Sequence, residues 1–212
     1  MVTLSRVKFP VNTDDVIYWD IETRSQCDLR KATGYNYALD SSTEILCSVW
    51  VHNSTIYIWW DFYDQVSDSD TPKIKDAVKA LISDSPYFNN HRIVLVQGFE
   101  GLSELSESIL QNPWVAHNGF GFDEKVWRKK FNDFFPPYVI DSMGLFRRCS
   151  LPAGLNAAGK YLYKAGKHEG SKSLTVLCRP IKKGDRAGMF PLVNWNNLSM
   201  VIAYCAVDVL IM

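Results

Sequence analysis

Residues Val16–Thr23 read VIYWDIET. β-Branched and aromatic residues fill it, and it is apolar on both faces apart from its acids, which predicts a buried strand. Because side chains of a strand alternate between faces, Asp20 and Glu22 point the same way. Two like charges on a buried strand are costly unless a cation neutralises them, and hard divalent cations suit clustered oxygen ligands. A solvent-facing acidic pair near a strand end explains the same letters, so the pair alone is a weak signal.

The segments on either side predict a central sheet covered by helices. A loop is expected over residues 24–42. Strands come mostly first and helices mostly later, with alternation in between, which indicates an α/β or α+β fold with a central mixed β-sheet flanked by α-helices. The further strands are predicted over residues 44–51, 54–62, 91–99, 114–118 and 138–141, and the helices over residues 71–83, 101–112, 121–131, 142–149, 153–163, 171–178 and 194–212.

Length and composition exclude several classes of protein. A chain of 212 residues with 47% hydrophobic and 13% aromatic residues predicts one folded domain and excludes a disordered chain. We find no apolar span long enough for a membrane helix and no secretory signal. The five cysteines are odd in number and contain no CxxC pair, which favours a reducing cytoplasm over disulfides or structural zinc. No P-loop, GxGxxG turn or local Ser/His/Asp or Cys/His signature is present.

The zero net charge hides an asymmetry between the two halves of the chain. Residues 1–112 carry 9 basic and 16 acidic residues, and residues 113–212 carry 14 basic and 7 acidic residues. The balances are therefore −7 and +7. Opposed halves suit an acidic site beside a phosphate-attracting surface, although a mixed solvated surface gives the same numbers.

Two later segments carry acids in unusual surroundings. Asp123 follows the strand WVAHN and begins a helix, where a helix N-terminus stabilises any carboxylate. Tyr204 and Asp208 lie four apart in the apolar run AYCAVDVLIM, on one face of a helix. An aspartate is unusual in such apolar surroundings, because its neighbours favour burial. An aspartate that emerges at the helix surface explains the same residues. Each segment has an ordinary structural explanation, but three such coincidences in one chain favour a shared site.

The three segments together resemble a known family. VIYWDIETRS, WVAHNGFGFDEKVW and YCAVD look like the three motifs of the DEDD exonuclease superfamily, which has a ribonuclease-H-like fold. The chain resembles most narrowly the 3′–5′ proofreading exonuclease domain of phage-type family-A DNA polymerases. DLRKATGYNYALDSSTEILCSVW and LPAGLNAAGKYL are similar to those enzymes as well. The resemblance covers nearly the whole chain from Val16 onwards.

The resemblance implies a set of catalytic residues. Asp20, Glu22, Asp123 and Asp208 match the four acidic metal ligands, and Tyr204 matches the tyrosine of the DEDDy branch. The implied cofactors are two divalent cations, Mg²⁺ or Mn²⁺, which activate water and stabilise the leaving 3′ oxygen. Tyr204 would orient the attacking water, because a phenol with a pKa of about 10 is a poor base at neutral pH.

The resemblance also implies a substrate and a setting. The expected activity is removal of 5′-mononucleotides from single-stranded or mismatched DNA 3′ ends. Residues 1–212 would form one exonuclease domain, the N-terminal part of a longer polymerase, in the host cytoplasm if phage-encoded. A ribonuclease-D-like exoribonuclease and an inactive nucleic-acid-binding module remain open alternatives. The candidate DNA contacts are Thr23, Asn118, Lys160, Lys167 and Lys172, while His117 is expected to be a core or supporting residue and Asp141 a helix cap.

Overall fold

The computed structural model describes residues 15–62, 64–109, 111–131, 134, 136, 138–164, 166 and 171–212. Six strands form one sheet: β1 (Ile17–Arg24), β2 (Glu44–His52), β3 (Thr55–Trp60), β4 (Arg92–Gln97), β5 (Trp114–Ala116) and β6 (Val139–Asp141). The α-helices are α1 (Gly34–Leu39), α2 (Thr71–Ser83), α3 (Gly98–Ile109), α4 (Asp123–Lys130), α5 (Ser142–Arg148), α6 (Leu155–Tyr163), α7 (Ser171–Leu177) and α8 (Trp195–Ile211). In the part of the chain described here, no helix is both long and apolar enough to cross a membrane.

The sheet is mixed, and β1 lies inside it. The strand order is β4-β3-β2-β1-β5-β6. β1 and β3 each pair antiparallel with β2, whereas the pairs β1–β5, β3–β4 and β5–β6 are parallel. This α/β architecture confirms the predicted fold class and is consistent with a ribonuclease-H-like fold.

Each face of the sheet carries its own hydrophobic core. One core joins β2 and β3 to α2 and α8. The other core contains five tryptophans, and α4 contributes to it through Val126 and Trp127. Because β1 alternates between the two cores, its even-numbered residues face α8 and its odd-numbered residues face the tryptophans. The five tryptophans are Trp19, Trp50, Trp59, Trp114 and Trp127.

Some elements differ from the prediction, since residues 98–99, predicted as the end of a strand, begin helix α3. The predicted loop over residues 24–42 contains the short helix α1, whose N-terminus is capped by Thr33 through the backbone N–H of Asn36 at 3.2 Å. Tyr37 and Ala38 are buried and fix this helix to the domain. Six residues are too few to show a helical repeat in the sequence, which is why the helix was missed.

Candidate metal centre

Asp20 and Glu22 point from β1 toward α8. In the register with β2 they lie opposite Val49 and Cys47, which belong to the core under α8. Carboxylate oxygens of Asp20 and Glu22 and the Sγ of Cys205 all lie within 4.8 Å of one another. Within the described residues, no other group of three or more His, Cys, Asp or Glu side chains approaches this closely. The pair faces the same way, as predicted, and both side chains are half-buried beside α8.

Helix α8 brings the last motif to these carboxylates. It begins with a capping box. The side chain of Asn194 accepts from the backbone N–H of Asn197 at 3.0 Å, and the side chain of Asn197 accepts from the backbone N–H of Asn194 at 2.8 Å. The rest of the helix is almost wholly buried. Asp208 is 3% exposed, and Tyr204 is half-buried. Asp208 lies three residues after Cys205, so the two side chains are neighbours on one face of the helix.

Cys205 is the member of the cluster that sequence reasoning missed. It is fully buried, and its Sγ lies 3.8 Å from Oδ2 of Asp20. Burial, followed by the neighbouring Cys47 and the charges of Asp20 and Glu22, raises the pKa of the Cys205 thiol well above its ordinary value. The thiol is therefore neutral. The spacing of Cys205 and Asp208, one helical turn apart, is the sequence signal that could have found it.

Asp123 reaches the same edge of the sheet from β5. Because β5 runs parallel to β1, both strands end at one edge, and the turn after β5 leads directly into α4. Asn118 adopts a left-handed conformation in this turn, with a φ of 63°. Gly119 is required beside it, since a Cβ there would meet that of Ala116 at 2.6 Å. Asp123 is 6% exposed at the start of α4.

Asp141 holds this turn in place. Its Oδ1 accepts from the backbone N–H of Asn118 at 3.0 Å and from that of Met143, at the start of α5, at 2.9 Å. His117 lies beside it, with Nδ1 3.1 Å from the hydroxyl oxygen of Ser142. The predicted capping role of Asp141 is confirmed, and the same carboxylate also positions the turn that precedes Asp123.

Thr23 follows Glu22 in β1 and contacts α1 through Tyr37. The hydroxyl oxygens of the two residues lie 2.9 Å apart, and Thr23 is buried. Burial, more than the nearby charge of Glu22, raises the pKa of Tyr37 to about 12, so the phenol stays protonated. Nothing in the sequence pointed to Tyr37, because the contact depends on α1.

The structure describes some of the predicted DNA-contacting residues and leaves out others. Lys160 is exposed near the end of α6, and Asn118 is exposed in its turn. Lys172 lies in α7, but its side chain is outside the described part of the structure, and so is Lys167. Contacts of Thr23, Asn118 and these lysines with a nucleic acid stay predictions.

The predicted acids are thus brought together in part. Asp20 and Glu22 form the close cluster with Cys205, while Asp123 and Asp208 are buried acids outside that 4.8 Å group. Asp208 nevertheless shares a helix face with Cys205, and Asp123 follows the strand that runs parallel to β1. Comparison with known proteins assigns no family, since neither a family model nor a curated protein matches this chain.

The donor set of the cluster leads to a prediction about Cys205. Carboxylate oxygens suit Mg²⁺, whereas a thiolate, which Zn²⁺ would form by displacing the proton of the thiol, favours softer ions such as Zn²⁺. We expect Cys205→Ala to lower the affinity for Zn²⁺ by at least about tenfold and to change that for Mg²⁺ by less than about twofold. Competition titrations against a fluorescent chelator measure both affinities. Cys178→Ala, which removes another thiol near Glu22, serves as the control; equal losses for both ions would contradict the prediction.

Proposed function

We propose that this protein is a metal-dependent 3′–5′ exonuclease of the DEDDy type, which removes 5′-mononucleotides from single-stranded or mismatched DNA ends. The proposal includes a role in proofreading beside a DNA polymerase domain, in the same chain or the same complex. Within this proposal, the catalytic residues are Asp20, Glu22, Asp123, Tyr204 and Asp208.

The observation that carries the proposal is the approach of the Asp20–Glu22 pair to α8. These carboxylates come from the middle of the sheet and meet the helix that bears Tyr204 and Asp208. Asp123 and Asp208 are buried, and Asp20 and Glu22 are half-buried, which is unfavourable for an apo protein. Divalent cations would offset that cost. The oxygen-rich donor set therefore fits Mg²⁺ or Mn²⁺, and Asp20 and Glu22 would be its first ligands.

Each group has its own role in the proposed reaction. Two divalent cations would supply acidification of water and charge stabilisation of the leaving 3′ oxygen. Tyr204 would orient the attacking water through its hydroxyl, and the Asp141-braced turn would hold Asp123 and Asn118 at the terminal nucleotide. The contact of Thr23 with Tyr37 would hold the backbone of β1 directly after Glu22 in place.

The proposal is tested by digestion of matched strands. DNA and RNA of one sequence carry a 5′ label, and DNA duplexes end in either a paired or a mismatched 3′ nucleotide. We expect a ladder of shortened labelled DNA in Mg²⁺ or Mn²⁺, and no cleavage in EDTA. Mismatched ends should be cut faster than paired ends, because their unpairing cost of a few kcal/mol is already removed.

The other outcomes separate the alternatives. Preferential shortening of RNA would indicate a ribonuclease-D-like enzyme. Binding of the strands without cleavage in any metal would indicate an inactive module. Release of the 5′ label as a mononucleotide, or full activity in EDTA, would exclude the proposed chemistry.

A further inference from the structure

A second feature beside the cluster is a loop rich in basic residues between α7 and α8. Residues 179–189, RPIKKGDRAGM, carry four basic side chains and one acid, Asp185, and we call them the basic loop. Within the described residues none of the four forms an ion pair. The basic side chains, all of residues classed as exposed, are Arg179, Lys182, Lys183 and Arg186.

The loop is internally ordered. Ile181 donates its N–H to the carbonyl of Met189 and accepts from the N–H of Gly188, both at 2.8 Å, so the two arms pair as in a hairpin. The turn is closed by the N–H of Ala187, which donates to the carbonyl of Gly184 at 3.0 Å. Gly184 and Gly188 have φ of 87° and 85°, which glycine adopts at little cost. The charges at the tip therefore stand on a defined backbone.

The base of the loop is fixed to the end of β1. Arg24 lies between the rings of Phe62 and Phe190, 4.9 and 4.8 Å from their centroids, and donates to the carbonyl of Pro191 at 3.2 Å. Its guanidinium also pairs with Glu44 at 2.6 Å. The side chain of Gln26 donates to the carbonyl of Gly188 at 3.1 Å. The loop is thus attached to the strand that carries the candidate metal ligands.

These attachments place the loop beside the candidate metal centre. Gln26 follows Glu22 by four residues, which is about 13 Å of extended chain. Cys178, the residue before the loop, packs against the hydrophobic core that contains Cys205 and Cys47, and Cys47 lies opposite Glu22 in the β1–β2 register. The basic loop is therefore attached to the segment of chain that directly follows the acidic cluster of β1.

The charge pattern favours a polyanion as the ligand. The clustered carboxylates repel a phosphodiester strand, so attraction to the protein has to come from cations nearby. Exposed lysine and arginine side chains bind phosphates, and their contribution to nucleic-acid binding falls steeply with salt.

We infer that the basic loop binds backbone phosphates of the substrate strand a few nucleotides upstream of the 3′ end held at the candidate metal centre. The inference deepens the proposed function and rests on it for the direction of the strand. The loop then serves as a sequence-independent phosphate contact, with Lys182, Lys183 and Arg186 as its contacting residues.

The test is the salt dependence of strand binding by the whole protein. Lys182→Ala/Lys183→Ala/Arg186→Ala is compared with the parent and with Lys73→Ala/Lys75→Ala/Lys79→Ala, which removes three exposed charges from α2. Anisotropy of a 5′-fluorescent oligothymidylate is measured in EDTA, and electrophoresis checks that the strand stays intact. Each phosphate contact contributes about 0.7 to the magnitude of the slope of log K against log salt. The slope of the loop variant should therefore be smaller in magnitude by about 2, and its affinity at low salt should be at least about tenfold weaker. The α2 variant should keep the parent's slope and affinity.

Each other outcome has a distinct meaning. A loop variant that binds like the parent overturns the inference, even if the parent shortens DNA as the proposed function requires. Loop-dependent binding by a parent that cuts nothing overturns the proposed function while the phosphate-binding role of the loop stands. Polyglutamate is tested as a competitor. If it competes for the parent as well as the oligonucleotide does, and competes less for the loop variant, the inference is overturned in favour of an acidic protein partner.

Discussion

Asp20→Ala is expected to abolish cleavage, with a cleavage rate more than about 10³-fold below that of the parent. This loss exceeds the usual effect of removing a single electrostatic stabiliser, which lowers the rate by about 10²–10³-fold. Asp20 contributes one carboxylate of the cluster, and divalent cations held there would lose that ligand. Loss of activity should therefore accompany loss of Mn²⁺ binding. Single-turnover cleavage of a 3′ single strand and Mn²⁺ calorimetry measure the two effects.

The matched control for this variant is Asp76→Ala, which removes an exposed acid of α2. Both variants should keep the far-ultraviolet circular dichroism of the parent, because Asp20 contributes little apolar packing. Cleavage by Asp20→Ala at the parent's rate would remove the basis of the site assignment. Equal losses in both variants would indicate an effect of net charge rather than of the site.

Tyr204→Phe should lower the single-turnover rate by about 10²–10⁴-fold, the usual contribution of a group that positions or exchanges a proton. The substitution keeps the ring and its packing on α8 and removes only the hydroxyl. Mn²⁺ affinity should stay within about twofold of the parent, because the phenol is not among the expected ligands. The outcome separates a water-orienting role from a ligand role.

Tyr161→Phe is the control, since Tyr161 lies on α6 with 70% of its surface exposed. It should cut at the parent's rate. If Tyr204→Phe does so as well, Tyr204 has no part in the chemistry. If Tyr204→Phe loses Mn²⁺ along with activity, the hydroxyl belongs to the metal centre itself.

Local patterns predicted much of this molecule. The alternation within VIYWDIET predicted β1 and the common face of Asp20 and Glu22, because side-chain direction in a strand depends only on neighbours along the chain. The capping position of Asp141 followed from a similarly local pattern. These features need no knowledge of how distant segments meet.

Contacts between distant segments were not predicted in the same detail. The approach of Cys205 to Asp20 joins residues 185 apart, and it depends on how far α8 is shifted along the sheet. The contact of Thr23 with Tyr37 requires α1, which is too short for a periodic signal. The attachment of the basic loop by Arg24 and Gln26 depends on tertiary packing that no spacing in the sequence reveals.

The proposed exonuclease activity requires that Asp20 and Glu22 hold catalytic divalent cations. The most direct test is a crystal structure in saturating Mn²⁺ with anomalous scattering. We expect an ion within roughly 2–2.5 Å of carboxylate oxygens of Asp20 and Glu22, and, with a bound 3′ nucleotide, a second ion about 3.5–4 Å from the first. A map without an anomalous peak at these two carboxylates, although Mn²⁺ is found elsewhere on the protein, would contradict the claim.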